Sequence, residues 1–140
     1  MKKIIALFLF YLVSCNKTSE NKNIIPDLHF TKVWKTPTSE LTKIELPSNI
    51  DLDTIEGNHK TIDFIIKNTG NKILKSLFIK PPCSCIQMPK YDSVLQPNKE
   101  QKITVNMAIN EIGNFYLPIT VYGTFYPFKR VFYVEGYRKS

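Results

Sequence analysis

Cysteine is the scarce reactive residue of this 140-residue chain, present three times, as Cys15, Cys83 and Cys85. Cys83 and Cys85 flank a single serine, and no other constellation in the sequence has comparable reactive potential. A disulfide between residues i and i+2 must bring its Cα atoms to about 4.4–6.8 Å, which forces the loop to bend. Reduced, the pair offers two thiolates, and Met88, three positions beyond Cys85, adds a thioether; Cu(I) prefers that soft donor set. Three readings therefore stand: first a structural feature of the loop, then, on equal footing, a redox-active dithiol and a soft-metal site. Zinc usually takes four ligands, and neither His29 nor His59 has a metal-like spacing to the cysteines. The chain has no Gly-rich phosphate loop, no His-Glu-x-x-His and no Gly-x-Ser-x-Gly. Its acidic residues stand singly, as a solvated surface requires, so no enzyme and no catalytic residue is expected.

Cys15 belongs to a different pattern. Lys2 and Lys3 precede an unbroken apolar run over residues 4–13, the layout of a secretory signal. As a helix such a run reaches about 15 Å, half of a hydrocarbon core, and cannot span a membrane. Leu12-Val13-Ser14-Cys15 then resembles the bacterial lipobox, a Leu, a tolerant position, a small residue and an invariant Cys. The resemblance implies cleavage after residue 14, diacylglycerol on the Cys15 thiol and acylation of the new amine with chains such as palmitate. Each buried CH₂ contributes about 0.8 kcal/mol, so two or three chains anchor the protein for good. The expected place is the bacterial cell envelope, facing the periplasm, with the outer membrane preferred to the inner. That compartment is oxidising, which lets Cys83 and Cys85 pair. Covalent lipid is the expected modification, and Cu(I) the one candidate cofactor.

The elements that would position these residues follow from periodicity. Asn16 to Asn23 are polar and aperiodic, and residues 15–40 read as the lipidated Cys and a flexible tether. Within it Leu28-His29-Phe30-Thr31-Lys32-Val33-Trp34 alternates, a candidate docking strand that ends on the only Trp. Over residues 41–140 apolar side chains recur at period 2, the signature of strands with one buried face. Ile62, Phe64 and Ile66 make one strand, followed by the turn Asn68-Thr69-Gly70-Asn71. Residues 73–79 predict the next, stopped by Pro81-Pro82. Ile103, Val105, Met107 and Ile109 define the cleanest strand, and Phe115, Leu117, Ile119 and Val121 another. Pro118 places an edge or a bulge within that one. The last strand buries either Phe128, Phe132 and Val134 or the offset set Val131 and Tyr133. Strands at this spacing with polar turns predict an all-β, immunoglobulin-like β-sandwich of about seven strands, preceded by the signal peptide and tether.

The order of Phe64-Ile65-Ile66-Lys67-Asn68-Thr69-Gly70, Cys83-Ser84-Cys85, Leu95-Gln96-Pro97-Asn98-Lys99-Glu100, Gly113-Asn114-Phe115 and Val134-Glu135-Gly136 resembles the bacterial domain of unknown function 1573 over about residues 46–137. That family is similar to the immunoglobulin-like domains of cilia and sperm-protein relatives (ASH/MSP-type), and has no assigned function. It usually carries Cys-Gly-Cys-Thr and Pro-Gly-Glu, where this chain has Cys83-Ser84-Cys85-Ile86 and Pro97-Asn98-Lys99-Glu100. Asn tolerates a left-handed turn position, so Asn98 is a mild departure, whereas Ser84 is expected to reshape a tight loop in which the family carries Gly.

The formal charge of +7 is spread singly along strands and turns, without the clustered basic face that nucleic acid requires, so no nucleic-acid partner is expected. The partners expected are the membrane, through the lipid, and an unidentified envelope protein or glycan. Aromatic residues crowd the last third of the chain, and the hairpin Gly123-Thr124-Phe125-Tyr126-Pro127-Phe128 has more rings than its tip can bury. Trp34, Phe125, Tyr126 and Phe128 are the expected contact residues. The functional expectation is a lipid-anchored, non-enzymatic binding or scaffold module; the alternative is a periplasmic thiol protein that handles copper or exchanges disulfides through the Cys-x-Cys pair.

Overall fold

A computed structural model describes residues 33–140. The lipobox, Cys15, His29 and most of the tether lie outside those residues. Of the candidate docking strand only Val33 and Trp34 are described; they sit in a helical turn, with Val33 buried and Trp34 exposed. A 3-10 turn over Thr38–Glu40 leads into eight strands: β1 (Ile44–Glu45), β2 (Asn49–Ile55), β3 (His59–Asn68), β4 (Phe78–Lys80), β5 (Ile86–Gln87), β6 (Glu100–Ala108), β7 (Gly113–Tyr122) and β8 (Lys129–Arg138). They form two four-stranded sheets, ordered β1-β3-β6-β5 and β2-β8-β7-β4, packed as an all-β sandwich.

The alternation read in the sequence is the packing rule. Ile62, Phe64 and Ile66 of β3 and Ile103, Val105 and Met107 of β6 point inward from one sheet; Ile119 and Val121 of β7 and Phe132 and Val134 of β8 point inward from the other. Phe64 and Phe132 meet between the layers with ring centroids 5.0 Å apart. Of the two registers open for β8, the one with Phe132 and Val134 inside is realised, and Val131 and Tyr133 face out. Residues 73–79 depart from the expected strand: only Phe78–Lys80 joins the ladder. Leu74 makes an isolated bridge to Leu95, and Ser76, at φ +54°, cannot continue an extended chain. The strand count rises from about seven to eight because β1 and β5 are two residues long, too short for a period to register.

Asn68, fully buried, ties one end of the sandwich together. Its Nδ2 donates to the Lys72 and Leu95 carbonyls at 2.8 and 2.9 Å, and its Oδ1 accepts from the Thr42 hydroxyl at 2.6 Å. Gly70 follows because the chain passes so close to Thr42 and Lys43 that a Cβ would lie 2.6 Å from the Lys43 nitrogen. Asn98, where the family places Gly, takes φ +59°, the left-handed conformation that Asn tolerates. Pro118 lies in an inner strand of its sheet, yet β4 pairs only with Thr120, Val121 and Tyr122, so β7 has an uncovered flank where the proline sits.

Candidate functional site

The cysteine loop closes the outer edge of the first sheet. β5 pairs with β6 through Ile86 opposite Met107 and Gln87 opposite Asn106, and the Ala108 N–H donates to the Cys85 carbonyl at 2.8 Å. The Cys83 and Cys85 sulfurs are joined, with Cα atoms 5.1 Å apart. Ser84 is not among the described residues with positive φ, so the loop accepts a side chain where the family has Gly. On the other flank of β6, His59 opens β3 directly opposite Ala108. The alternation that turns Ile62 and Phe64 inward turns His59 outward. His59, Thr61, Ser84, Cys85, Gln87 and Asn106 consequently line one hollow of about 350 Å³. Neither Cys83 nor Met88, the expected third donor, lines that hollow; Met88 packs against the core, while the Cys83 sulfur is held beside the hollow by its bond to Cys85. His59 is the residue that sequence spacing missed, because only the β3-β6-β5 order brings it beside Cys85. Among the described residues no three His, Cys, Asp or Glu side chains are already gathered as a metal cluster.

The expected contact residues divide. Phe125 is wholly buried and bridged to Thr42, so it is core and not contact surface, a correction to its expected role. Its burial follows from the chain entering residue 42 alongside it, which the local sequence does not announce. Phe128 is half-buried at φ +74°. Tyr126 and Trp34 are exposed, at 76% and 66%. A second aromatic surface went unseen in the sequence: the outer face of the β2-β8-β7-β4 sheet. Tyr116 and Tyr133 stack there at 4.3 Å between centroids and 17° between planes. Tyr137 is exposed beside them, and Phe78 and Tyr122 pair farther along the sheet at 6.3 Å. The available signal was the parity of Tyr116 and Tyr122, which fill slots of β7 that should be polar. Glu135 stands opposite Tyr116 on one side and Asp51 on the other, and accepts a 3.1 Å hydrogen bond from the Asn49 side chain. Desolvation by its neighbours, then the nearby charges of Tyr133 and Glu135 and the hydrogen bond with Tyr133, push the phenol of exposed Tyr116 above its ordinary range.

The first sheet's outer face differs. Thr61 bonds Asn106 at 2.7 Å, and Asp63 takes a hydrogen bond from Thr104 and an ion pair from Lys102 at 2.7 Å. Those two contacts hold the Asp63 carboxyl below the usual range.

Solved structures share this architecture. A protein of unknown function from Porphyromonas gingivalis W83 is similar at TM-score 0.62 and 11% identity, over 74% of this chain and 50% of that one. The ASH/PapD-like domain 7 of human CEP192 is similar at TM-score 0.57 and 14% identity, over 75% of this chain and 89% of that domain. The secreted serine protease VesC from Vibrio cholerae is similar at TM-score 0.56 and 13% identity, over 79% of this chain and 25% of the protease. The chain thus spans half of the Porphyromonas protein and a quarter of VesC. At these identities the likeness is one of fold, an immunoglobulin-like sandwich of the ASH/PapD type. No curated protein matches the chain. Residues 44–137 match the family described as protein of unknown function (DUF1573), and the chain belongs to that family.

Proposed function

We propose that this protein is a lipid-anchored, non-enzymatic binding or scaffold module of the bacterial cell envelope, and that it meets a protein partner through the outer face of the β2-β8-β7-β4 sheet. The observation that carries the reading is the Tyr116–Tyr133 stack with Tyr137 beside it, rings standing in strand positions that face water. Tyrosine is enriched at interface centres because its ring supplies large contact area with little rotamer entropy to lose. A protein fits better than a glycan. The two stacked rings cover one face of each other, leaving fewer open platforms for a sugar, and Asp51 and Glu135 supply charge for a basic side chain.

The lipid anchor rests on the resemblance of Leu12-Val13-Ser14-Cys15 to the lipobox. Among the described residues no helix is long and apolar enough to cross a membrane. Metabolic labelling with a palmitate analogue tests the anchor: the full chain should take up label and Cys15→Ala should not, and a labelled Cys15→Ala chain sinks that part of the reading. For the contact face, a photo-crosslinking residue is placed at Tyr116, and a second, as control, at Thr104 on the other sheet. One discrete protein adduct from position 116 and none from 104 is the expected result. Equal adducts from both positions, or a carbohydrate adduct from 116, would overturn the proposed protein contact.

A further inference from the structure

We infer that Cys83, Cys85 and His59 form a three-coordinate Cu(I) site when the cysteine pair is reduced. The site lies on the sheet opposite the aromatic contact face, so it stands or falls separately from the proposed contact. It takes up the copper-handling alternative and replaces Met88 with His59 in the ligand set.

The argument is one of placement. His59 faces Ala108 on the adjacent strand, and Ala108 is hydrogen-bonded to Cys85 on the far side. Two strand spacings separate the histidine from the cysteine, about 10 Å between backbones. Cys85, one residue before β5, has the parity of outward-facing Gln87 and is half-buried; Cys85 and His59 both line the hollow, and Cys83, outside its lining, is held next to Cys85 by their joined sulfurs. Ala108, between them, raises only a methyl group. Metal–sulfur and metal–nitrogen bonds of about 2.3 and 2.0 Å, added to the reach of an imidazole and a thiol, close a gap of that size over so low a residue. Two thiolates and one imidazole form a soft set of three, one short of what tetrahedral zinc takes and well suited to Cu(I).

The disulfide is the closed state of this site. A dithiol reductant attacks one sulfur of the Cys83–Cys85 bond to form a mixed disulfide, and its second thiol then displaces that sulfur. Two electrons pass to the pair, the reductant ends as a disulfide, and Cys83 and Cys85 end as thiols. Cu(I) binding then releases the two thiol protons to solvent.

The test uses the full chain in detergent, reduced with a dithiol and kept anaerobic, with reduction verified by the mass gained on alkylation of Cys83 and Cys85. Cu(I) is titrated against a chromogenic Cu(I) chelator. One Cu(I) per reduced chain, none on the oxidised chain, and imidazole scattering in the copper X-ray absorption spectrum are expected. His59→Asn should weaken Cu(I) by at least roughly tenfold, the least that losing even an outer-shell partner costs, and should remove the imidazole signal. Exposed at a strand end, His59 can be replaced without disturbing the core, and an unchanged melting curve verifies this. Copper held equally well by His59→Asn, or no copper on a verified dithiol chain, would falsify the site. Met88→Leu should leave affinity unchanged; a loss there equal to that of His59→Asn restores the thioether and overturns the exchange of ligands.

Discussion

The two sheets present unlike faces to water. On the β1-β3-β6-β5 sheet, outward side chains answer one another: Thr61 with Asn106, and Asp63 with Thr104 and Lys102. On the β2-β8-β7-β4 sheet they are rings, Tyr116 on Tyr133 and Phe78 near Tyr122, with Glu135 set among them. Cross-strand pairs of either kind stabilise a sheet by similar small amounts, so stability does not explain the difference. Polar pairs use up their own hydrogen-bonding capacity, whereas exposed rings leave apolar area that another surface can cover. The lesson is that in this sandwich the inner faces determine the fold, while the outer faces are free to diverge.

That contrast can be broken at several strengths. Phe132→Ala and Phe64→Ala, on opposite sheets but in contact, should each lower the unfolding free energy by about 3–5 kcal/mol in denaturant titration. A large disparity between them would mean that the inner faces differ too. Asn68→Ala removes the donor to the Lys72 and Leu95 carbonyls and the acceptor of the buried Thr42 hydroxyl, and should cost roughly 1–3 kcal/mol by the same measurement. A double-mutant cycle on Tyr116→Ala and Tyr133→Ala should give a coupling of about 0.5–1.5 kcal/mol. The cycle on Thr61→Ala and Asn106→Ala should give about 0.2–1 kcal/mol, and a much larger value would make the polar face the more specialised one.

The smallest effects separate the faces by pH. Tyr116 has its pKa raised, so its contribution is complete below the ordinary tyrosine range and is lost as pH rises through the raised value. Tyr116→Phe should therefore flatten the alkaline limb of the melting profile. Asp63 has its pKa lowered, so its contribution is present above the ordinary aspartate range and lost as pH falls through the lowered value. Asp63→Asn should flatten the acid limb, less so in high salt, since the group is exposed and screened.

What the sequence made legible was whatever repeats at period 2 over many residues. β3, β6 and the buried half of β7 are readable position by position, and the sandwich follows from them. Local reading failed where a distant segment decides burial. Phe125 looked like a surplus ring at a hairpin tip and is core because Thr42 runs beside it. His59 looked unrelated to the cysteines because its link to them runs sideways through Ala108 and not along the chain. The parity of Tyr116 was in plain view, yet an aromatic in an outward slot acquires meaning only once Tyr133 is known to stand next to it.

Pro118 has a consequence for encounters between copies of the sandwich. Where β4 stops, the flank of β7 is a row of backbone groups of the kind onto which a neighbouring molecule could zip a strand. Proline removes a donor from that row and interrupts the repeat on which such zippering depends. If copies are concentrated in two dimensions, as the proposed lipid anchor would have them, such an interruption opposes pairing edge to edge.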